Sequence, residues 1–305
     1  MGEKRMQNNR SKFLLWLPGI LVIGLIGLVI YQGLQQNKTT HTNDKLTVVA
    51  SLNSYGDIAE AVLGDAGTVT SVIANPDVDP HDFEPTPNTA KQYDAADVII
   101  SNGGGLDAWS EKFAKANPKA NAISVSDLYH YKAGDNEHFW YEPDLVEKLT
   151  KELVAAYSEI APDERRTFEA NAEKYVDKMK GVHALRDELA HALKGKAVLT
   201  TEPIFDPWLK SMGAEVLVPE FAYAVEEGQD PTPAAITAWE DAARQHKAVV
   251  VIQNTQATSQ LVDQAVKTAK EANVPVVKVS ETKPADMNYI DWQYAQLEAL
   301  QKEVK

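Results

Sequence analysis

From Asp163 to about Leu193 the chain contains one glycine, Gly181, and no proline. Apolar residues at Phe168, Ala172, Tyr175, Val176 and Met179 recur at the three-to-four spacing of one helix face. Pro162-Asp163-Glu164 is a good start for such a helix, because proline pre-sets φ and acids complement the amino-terminal dipole. A helix of about 30 residues spans ~45 Å at 1.5 Å per residue. A rod of that length has to lie between, or alongside, whatever the flanking segments form.

On both sides of it, short β-branched runs alternate with helical stretches. Strands are predicted at Leu46–Leu52, Thr68–Ala74, Val98–Ser101 and Ala122–Val125, with helices near Tyr55–Leu63, Asn88–Ala95 and Leu106–Ala116. After the long helix the alternation resumes, with strands at Ala197–Thr201, Glu215–Val218, Ala248–Asn254 and Pro275–Ser280 and a last helix over Asn288–Val304. Such alternation indicates parallel sheets with right-handed crossovers. The fold class is therefore α/β: two Rossmann-like lobes, 46–160 and 195–305, joined by one long rigid helix over 161–194. No sequence repeat relates the halves.

The amino terminus has a different character. Lys4, Arg5, Arg10 and Lys12, in a basic segment 1–12, precede an uncharged stretch from Phe13 to Tyr31. As a helix that stretch would measure roughly 28 Å, close to the ~30 Å hydrocarbon core of a bilayer. The basic flank holds its own side in the cytoplasm, so the body is expected at the extracellular face of the cell membrane. The exit, Tyr31-Gln32-Gly33-Leu34-Gln35-Gln36, lacks the small residues of a cleavage site, which favours a transmembrane anchor over a cleaved signal and secretion. Residues 32–45 are polar and aperiodic, as a tether would be, and His41 within them reads as a solvated histidine.

Charge narrows the range of partners. The 305 residues carry a formal charge of −14, and since residues 1–45 hold six basic and two acidic side chains, the body carries −18. Such a body repels phosphate backbones, which excludes nucleic acid and suits a handler of cations. With no cysteine, disulfides, thiolate metal sites and lipid attachment through cysteine are excluded.

In open α/β sheets, ligands bind beyond the carboxyl ends of the strands. After the second strand comes Asn75-Pro-Asp-Val-Asp-Pro-His81-Asp-Phe-Glu-Pro-Thr-Pro, whose prolines stiffen the loop around His81. After the fourth comes Asp135-Asn-Glu-His138-Phe-Trp-Tyr-Glu-Pro. Glu202 and Glu281 directly follow two strands of the second half. Two imidazoles could thus face two carboxylates across a cleft, a donor set suited to Mn²⁺, Zn²⁺ or Fe²⁺. Four protein ligands imply holding an ion, whereas catalytic zinc ordinarily keeps an open water position. Each residue also has a plainer reading: a loop histidine between prolines is commonly a surface residue, and Glu202-Pro203 resembles a helix start.

Several segments resemble the zinc/manganese solute-binding proteins of ABC importers. They are Asp79-Pro-His-Asp-Phe-Glu-Pro-Thr-Pro87, Asp97-Val-Ile-Ile-Ser-Asn-Gly103, Gly105-Leu-Asp-Ala-Trp109, His138-Phe-Trp-Tyr-Glu-Pro143, Thr201-Glu-Pro-Ile-Phe-Asp206 and Ser280-Glu-Thr-Lys-Pro284. The match runs in order through nearly all of residues 46–305. The resemblance implies one divalent ion, Mn²⁺ or Zn²⁺, held between two lobes as cargo for an ABC permease and its ATPase by a monomeric protein that is not an enzyme. It makes His81 and His138 the first two ligands and Glu202 the third, a position commonly histidine in zinc-type members. The fourth is commonly aspartate in that family; here Glu281 stands in its place, with Asp286 as the fallback. The chain lacks the histidine-rich acidic loop of many zinc-specific members, which, with Glu202, leans towards Mn²⁺. The rival reading is a surface metallohydrolase using the same His/Glu cluster; a third is an adhesin with a structural metal.

Asp82 and Glu84 flank His81 as candidates to orient its ring, or as loop caps. His130, His183, His191 and His246 read as surface residues. Asn102-Gly-Gly-Gly105 lacks the Lys-Ser/Thr of a phosphate loop and reads as a close-packed turn. Tyr289, Trp292 and Tyr294 are expected to pack the last helix on the second lobe.

Overall fold

The computed structural model describes residues 45–304. The anchor, tether and basic segment predicted for the first 44 residues lie outside the described residues, among which no helix is long and apolar enough to cross a membrane.

The first half runs β1 (Leu46–Leu52), α1 (Asn53–Leu63), β2 (Gly67–Ile73), α2 (Pro87–Asp94), β3 (Val98–Ser101), α3 (Ala108–Ala116), β4 (Asn121–Ser124) and α4 (Val125–Leu128). Its strands are parallel in the order β2-β1-β3-β4, with Leu46 opposite Gly67, Val48 opposite Val98 and Val98 opposite Asn121. Two helices follow, α5 (Leu145–Ile160) and the long α6 (Arg165–Leu193). The second half contains β5 (Ala197–Thr200), α7 (Asp206–Ser211), β6 (Glu215–Val216), α8 (Pro219–Glu226), α9 (Pro233–Arg244), β7 (Val251–Asn254), α10 (Gln260–Glu271), β8 (Val276–Val279) and α11 (Tyr289–Val304). Its parallel sheet has the order β6-β5-β7-β8, the same winding as the first. In each sheet the chain reverses direction of growth between the first and third strands, which opens a crevice at their carboxyl ends.

The long helix is shorter at its start than predicted. Pro162–Glu164 form a 3₁₀ turn and the α-helix begins at Arg165. Its buried stripe is Phe168, Ala172, Tyr175, Met179, Val182, Leu185, Leu189 and Leu193, at steps of three and four. Those residues belong to one apolar cluster that also holds Leu46 and Ile58 from the first half and Trp208 and Leu300 from the second. The helix is thus a shared wall rather than an exposed rod. Burying eight such side chains at ~1.5–3 kcal/mol for each large one is what resists separation of the halves.

Polar contacts also clasp the halves. The Asn53 amide donates to the Lys283 carbonyl at 2.7 Å, and its Oδ1 accepts from the Lys283 amide at 3.2 Å. The last helix departs from its predicted packing: Tyr294 is 42% exposed, while the Tyr289 hydroxyl donates to the Trp140 carbonyl in the first half at 2.8 Å. Trp292 likewise packs against Tyr141, ring centroids 5.4 Å apart and tilted by 47°. Helical geometry puts Tyr294 roughly 160° round from Trp292, so only the two that face the junction between lobes are buried.

Candidate metal centre

The first imidazole is set by its loop. Val78 donates its amide to the Asn75 carbonyl and His81 donates its own to Asp79 Oδ1 at 2.9 Å, so consecutive turns built on Asn and Asp hold the segment. The loop is also fastened to the second half, where Gln256 Nε2 and Thr282 Oγ1 both donate to the Val78 carbonyl. Asp82 and Glu84 are not the carboxylates beside the ring; on its Nδ1 side stands Glu137, with Oε1 at 3.8 Å.

The second imidazole is more tightly held. His138 has a side chain 1% exposed and sits edge-on to Trp140. Asn136 Oδ1 accepts from the His138 backbone amide at 2.8 Å and lies 3.0 Å from Nδ1. An amide oxygen only accepts, so Nδ1 carries a proton and Nε2 is the nitrogen turned into the crevice, free to bind an ion once it is deprotonated.

Opposite them, the Asn254 side chain at the end of β7 donates to both Glu202 and Glu281, the latter at 2.5 Å. Glu202 is 6% and Glu281 2% exposed. Gln256 Oε1 accepts from the Glu281 amide at 2.7 Å and fixes its backbone. Donor atoms of His81, His138 and Glu281 all lie within 4.8 Å of one another. Glu202 stands beside Glu281 on the shared amide, and the fallback Asp286 is exposed. His130, His191 and His246 are exposed, and His183 contacts the Pro143 carbonyl. Removing the shared donor by Asn254→Leu should lower ion affinity by ~10–100-fold, the range for residues that orient ligands. Competitive titration measures it, and unchanged affinity would mean that the amide does not position the carboxylates.

Two acids of the cluster escaped the sequence reading. Glu226, the last residue of α8, places Oε1 3.0 Å from His138 Nε2 and 3.2 Å from His81 Nε2. Glu137 joins His81 and Glu226 in a second close group. Attention to strand ends passed over both, since one ends a helix and the other precedes a histidine. A signal was present for the first: Glu226-Glu227 end a helix, where the dipole disfavours acids.

The electrostatics are those of a site short of positive charge. Burial pushes the Glu202 carboxyl up to about 8, against the Asn254 hydrogen bond, with Glu226 and Asp79 adding to the rise. Burial likewise drives Glu281 well above the carboxylate range, reinforced by Asp79 and Glu226. Burial opposes charge on His81, yet Glu226, Glu281 and Asp79 prevail and raise it to about 10. Glu226 resists the same burial because His138 and His81 hold it down to about 2. Two buried carboxylate oxygens of this cluster, Glu226 Oε2 and Glu281 Oε2, have no hydrogen-bond partner, and His138 Nε2 faces the Glu226 carboxylate at 3.0 Å. Orphaned buried donors and acceptors of this kind are costly unless something binds them. An open cleft lined by Asp79, Asp82, Glu202, Glu226, Glu227 and Asp230 leads to the cluster and would concentrate cations.

Residues 48–303 match the family described as the zinc-uptake complex component A, periplasmic. The chain belongs to that family. Among its relatives is the iron-binding protein YfeA of Yersinia pestis, 27% identical over 255 residues, 79% of each chain. The manganese ABC transporter substrate-binding lipoprotein PsaA of Streptococcus pneumoniae is 25% identical over 279 residues, covering 85% of this chain and 87% of PsaA. The fold is shared with the laminin-binding adhesin Lmb of Streptococcus agalactiae, at a TM-score of 0.71 and 18% identity over 85% of this chain and all of that one. The ions in these descriptions differ, so family membership leaves the choice of ion to the residues at the site.

Proposed function

We propose that this chain is the extracellular substrate-binding component of a divalent-metal ABC importer. It captures one Mn²⁺ or Zn²⁺ between its lobes and hands the ion to a permease driven by an ATPase. His81, His138, Glu202 and Glu281 are the protein ligands. The observation that carries this reading is the meeting of two imidazoles from one sheet's loops with buried carboxylates from the other's, two of the carboxylate oxygens unpartnered. A shell filled by protein donors leaves no position for a nucleophilic water, which is why capture rather than hydrolysis is the function. The apolar stretch 13–31 serves as the membrane anchor and 32–45 as the tether, which keeps the site near its permease at the extracellular face.

Capture and release follow from the packing. Because α6 is buried in a core common to both halves, a wide hinge is disfavoured. Adjustment falls to the loops around His81 and Glu226. The test is a calorimetric titration of the chelator-stripped protein with Mn²⁺ and Zn²⁺ in parallel. One-to-one binding of either ion that a chelator reverses supports transport, and failure to bind either refutes it.

A further inference from the structure

We propose that Glu226 is a fifth protein ligand to the cargo ion and biases the site towards ions that accept more than four donors. The inference rests on the metal-capture reading and concerns a residue outside its four ligands.

The geometry points this way. Donors at right angles on an ion at ~2.1 Å lie ~3.0 Å apart, and at a tetrahedral angle ~3.4 Å apart. Glu226 Oε1 is 3.0 Å from one imidazole nitrogen and 3.2 Å from the other. That oxygen lies at the separation from each imidazole nitrogen that two donors on one ion would show. Its partner oxygen, Oε2, is buried without a hydrogen bond, on a side chain only 8% exposed. A carboxylate serving only as a brace for the histidines would have its second oxygen in water or on an amide.

The local chain structure presents the carboxylate firmly. Pro219 starts α8, Phe221 and Ala222 bury its inner face, and Gly228 and Gln229 donate amides back to the Val225 and Ala224 carbonyls. The helix thereby ends with Glu226 at the crevice. Two imidazoles and two carboxylates can satisfy tetrahedral Zn²⁺. A third carboxylate is surplus for that ion but suits one tolerating five or six ligands, such as Mn²⁺.

The experiment compares wild type, Glu226→Ala and the isosteric Glu226→Gln by competitive titration with Mn²⁺ and Zn²⁺, together with the visible spectrum of the Co²⁺-loaded proteins. Both variants should lose at least about tenfold in Mn²⁺ affinity and at most about threefold for Zn²⁺, the asymmetry expected when a donor beyond four is removed. The weak Co²⁺ absorption of a five-coordinate site should give way to the intense bands of a tetrahedral one. Tighter binding of both ions by Glu226→Ala would make Glu226 a competitor of the ion and overturn the proposal. Unchanged affinities and spectrum, or equal losses for the two ions, would also overturn it. His138→Ala separates the two levels. If it abolishes binding while the Glu226 variants behave as wild type, only the fifth ligand fails; if wild type takes up no ion, the capture reading fails with it.

Discussion

Replacing His138 with alanine should lower the affinity for the cargo ion by about 10²–10³-fold. If a four-ligand site shares ~10–16 kcal/mol of binding free energy, each ligand accounts for ~2.5–4 kcal/mol, and each 1.4 kcal/mol is a factor of ten. His138 should lie at the upper end. Its ring is 1% exposed, Asn136 holds its Nδ1, and its Nε2 already faces the Glu226 carboxylate, so little reorganisation accompanies binding. The measurement is a competitive titration against a chelator of known affinity, with far-UV circular dichroism to verify the fold beside Trp140. Wild-type affinity in the variant would remove His138 from the site.

The second large effect is on protons. In the metal-free protein His81 is raised to about 10 and Glu202 to about 8, and Glu281 lies well above its ordinary range. At pH 7 His81 and Glu202 carry protons that a metal must displace, so binding should release about two protons per ion. Affinity should therefore climb steeply between pH 6 and pH 8. Calorimetry in buffers of different ionisation enthalpy counts the protons, and a count near zero would contradict the charge state described here.

The same groups govern the stability of the metal-free protein. His81 is raised above its unfolded value of 6.5, so its contribution is full below that pH and is lost as pH climbs towards about 10. Glu226 is lowered from 4.5 to about 2, so its contribution is full above 4.5 and lost as pH falls through about 2. Glu202, raised to about 8, withdraws stability as it ionises between 4.5 and that pH. The three together place the maximum near pH 4.5, with a fall above it that steepens beyond about 6.5 and continues towards pH 9. Metal reverses that fall, adding ~2.7 kcal/mol at a free concentration of 100 times Kd. Thermal unfolding with and without the ion across this range checks both signs, and a metal-free midpoint that rises with pH would count against the pairing of His81 with Glu226.

Much of the architecture is legible along the chain because it is written in local periodicities. The run Val98–Ser101 appears as a strand with the predicted bounds, and β1 is likewise Leu46–Leu52, since consecutive β-branched residues declare an extended backbone without reference to neighbours. The Asn102-Gly-Gly-Gly105 turn is legible for the same reason. Gly103 has φ of 72°, and a Cβ there would meet Ser126 Oγ at 2.2 Å, so glycine is required both by the backbone and by the neighbour. Ala248–Asn254 was predicted too long. The strand starts at Val251, because only the part paired with β5 and β8 forms the ladder.

The site divides along the same line. His81, His138, Glu202 and Glu281 were legible because each follows a strand or lies in a loop whose prolines and aromatics match a known pattern. Asn254 was not, and Glu226 offered only an acid at a helix end. Nothing within a few residues of Glu226 indicates that an imidazole 145 positions earlier lies 3.2 Å away, and nothing around Asn254 indicates that its amide serves two carboxylates. The sequence alone therefore determined the strands, the long helix and the four loop-borne ligand candidates, through side-chain period, turn chemistry and motif. The tertiary structure alone decided the identical winding of the two sheets, the core shared across α6 and the carboxylate seated between the histidines. Those depend on contacts between residues far apart in the chain, which packing selects and no local pattern encodes.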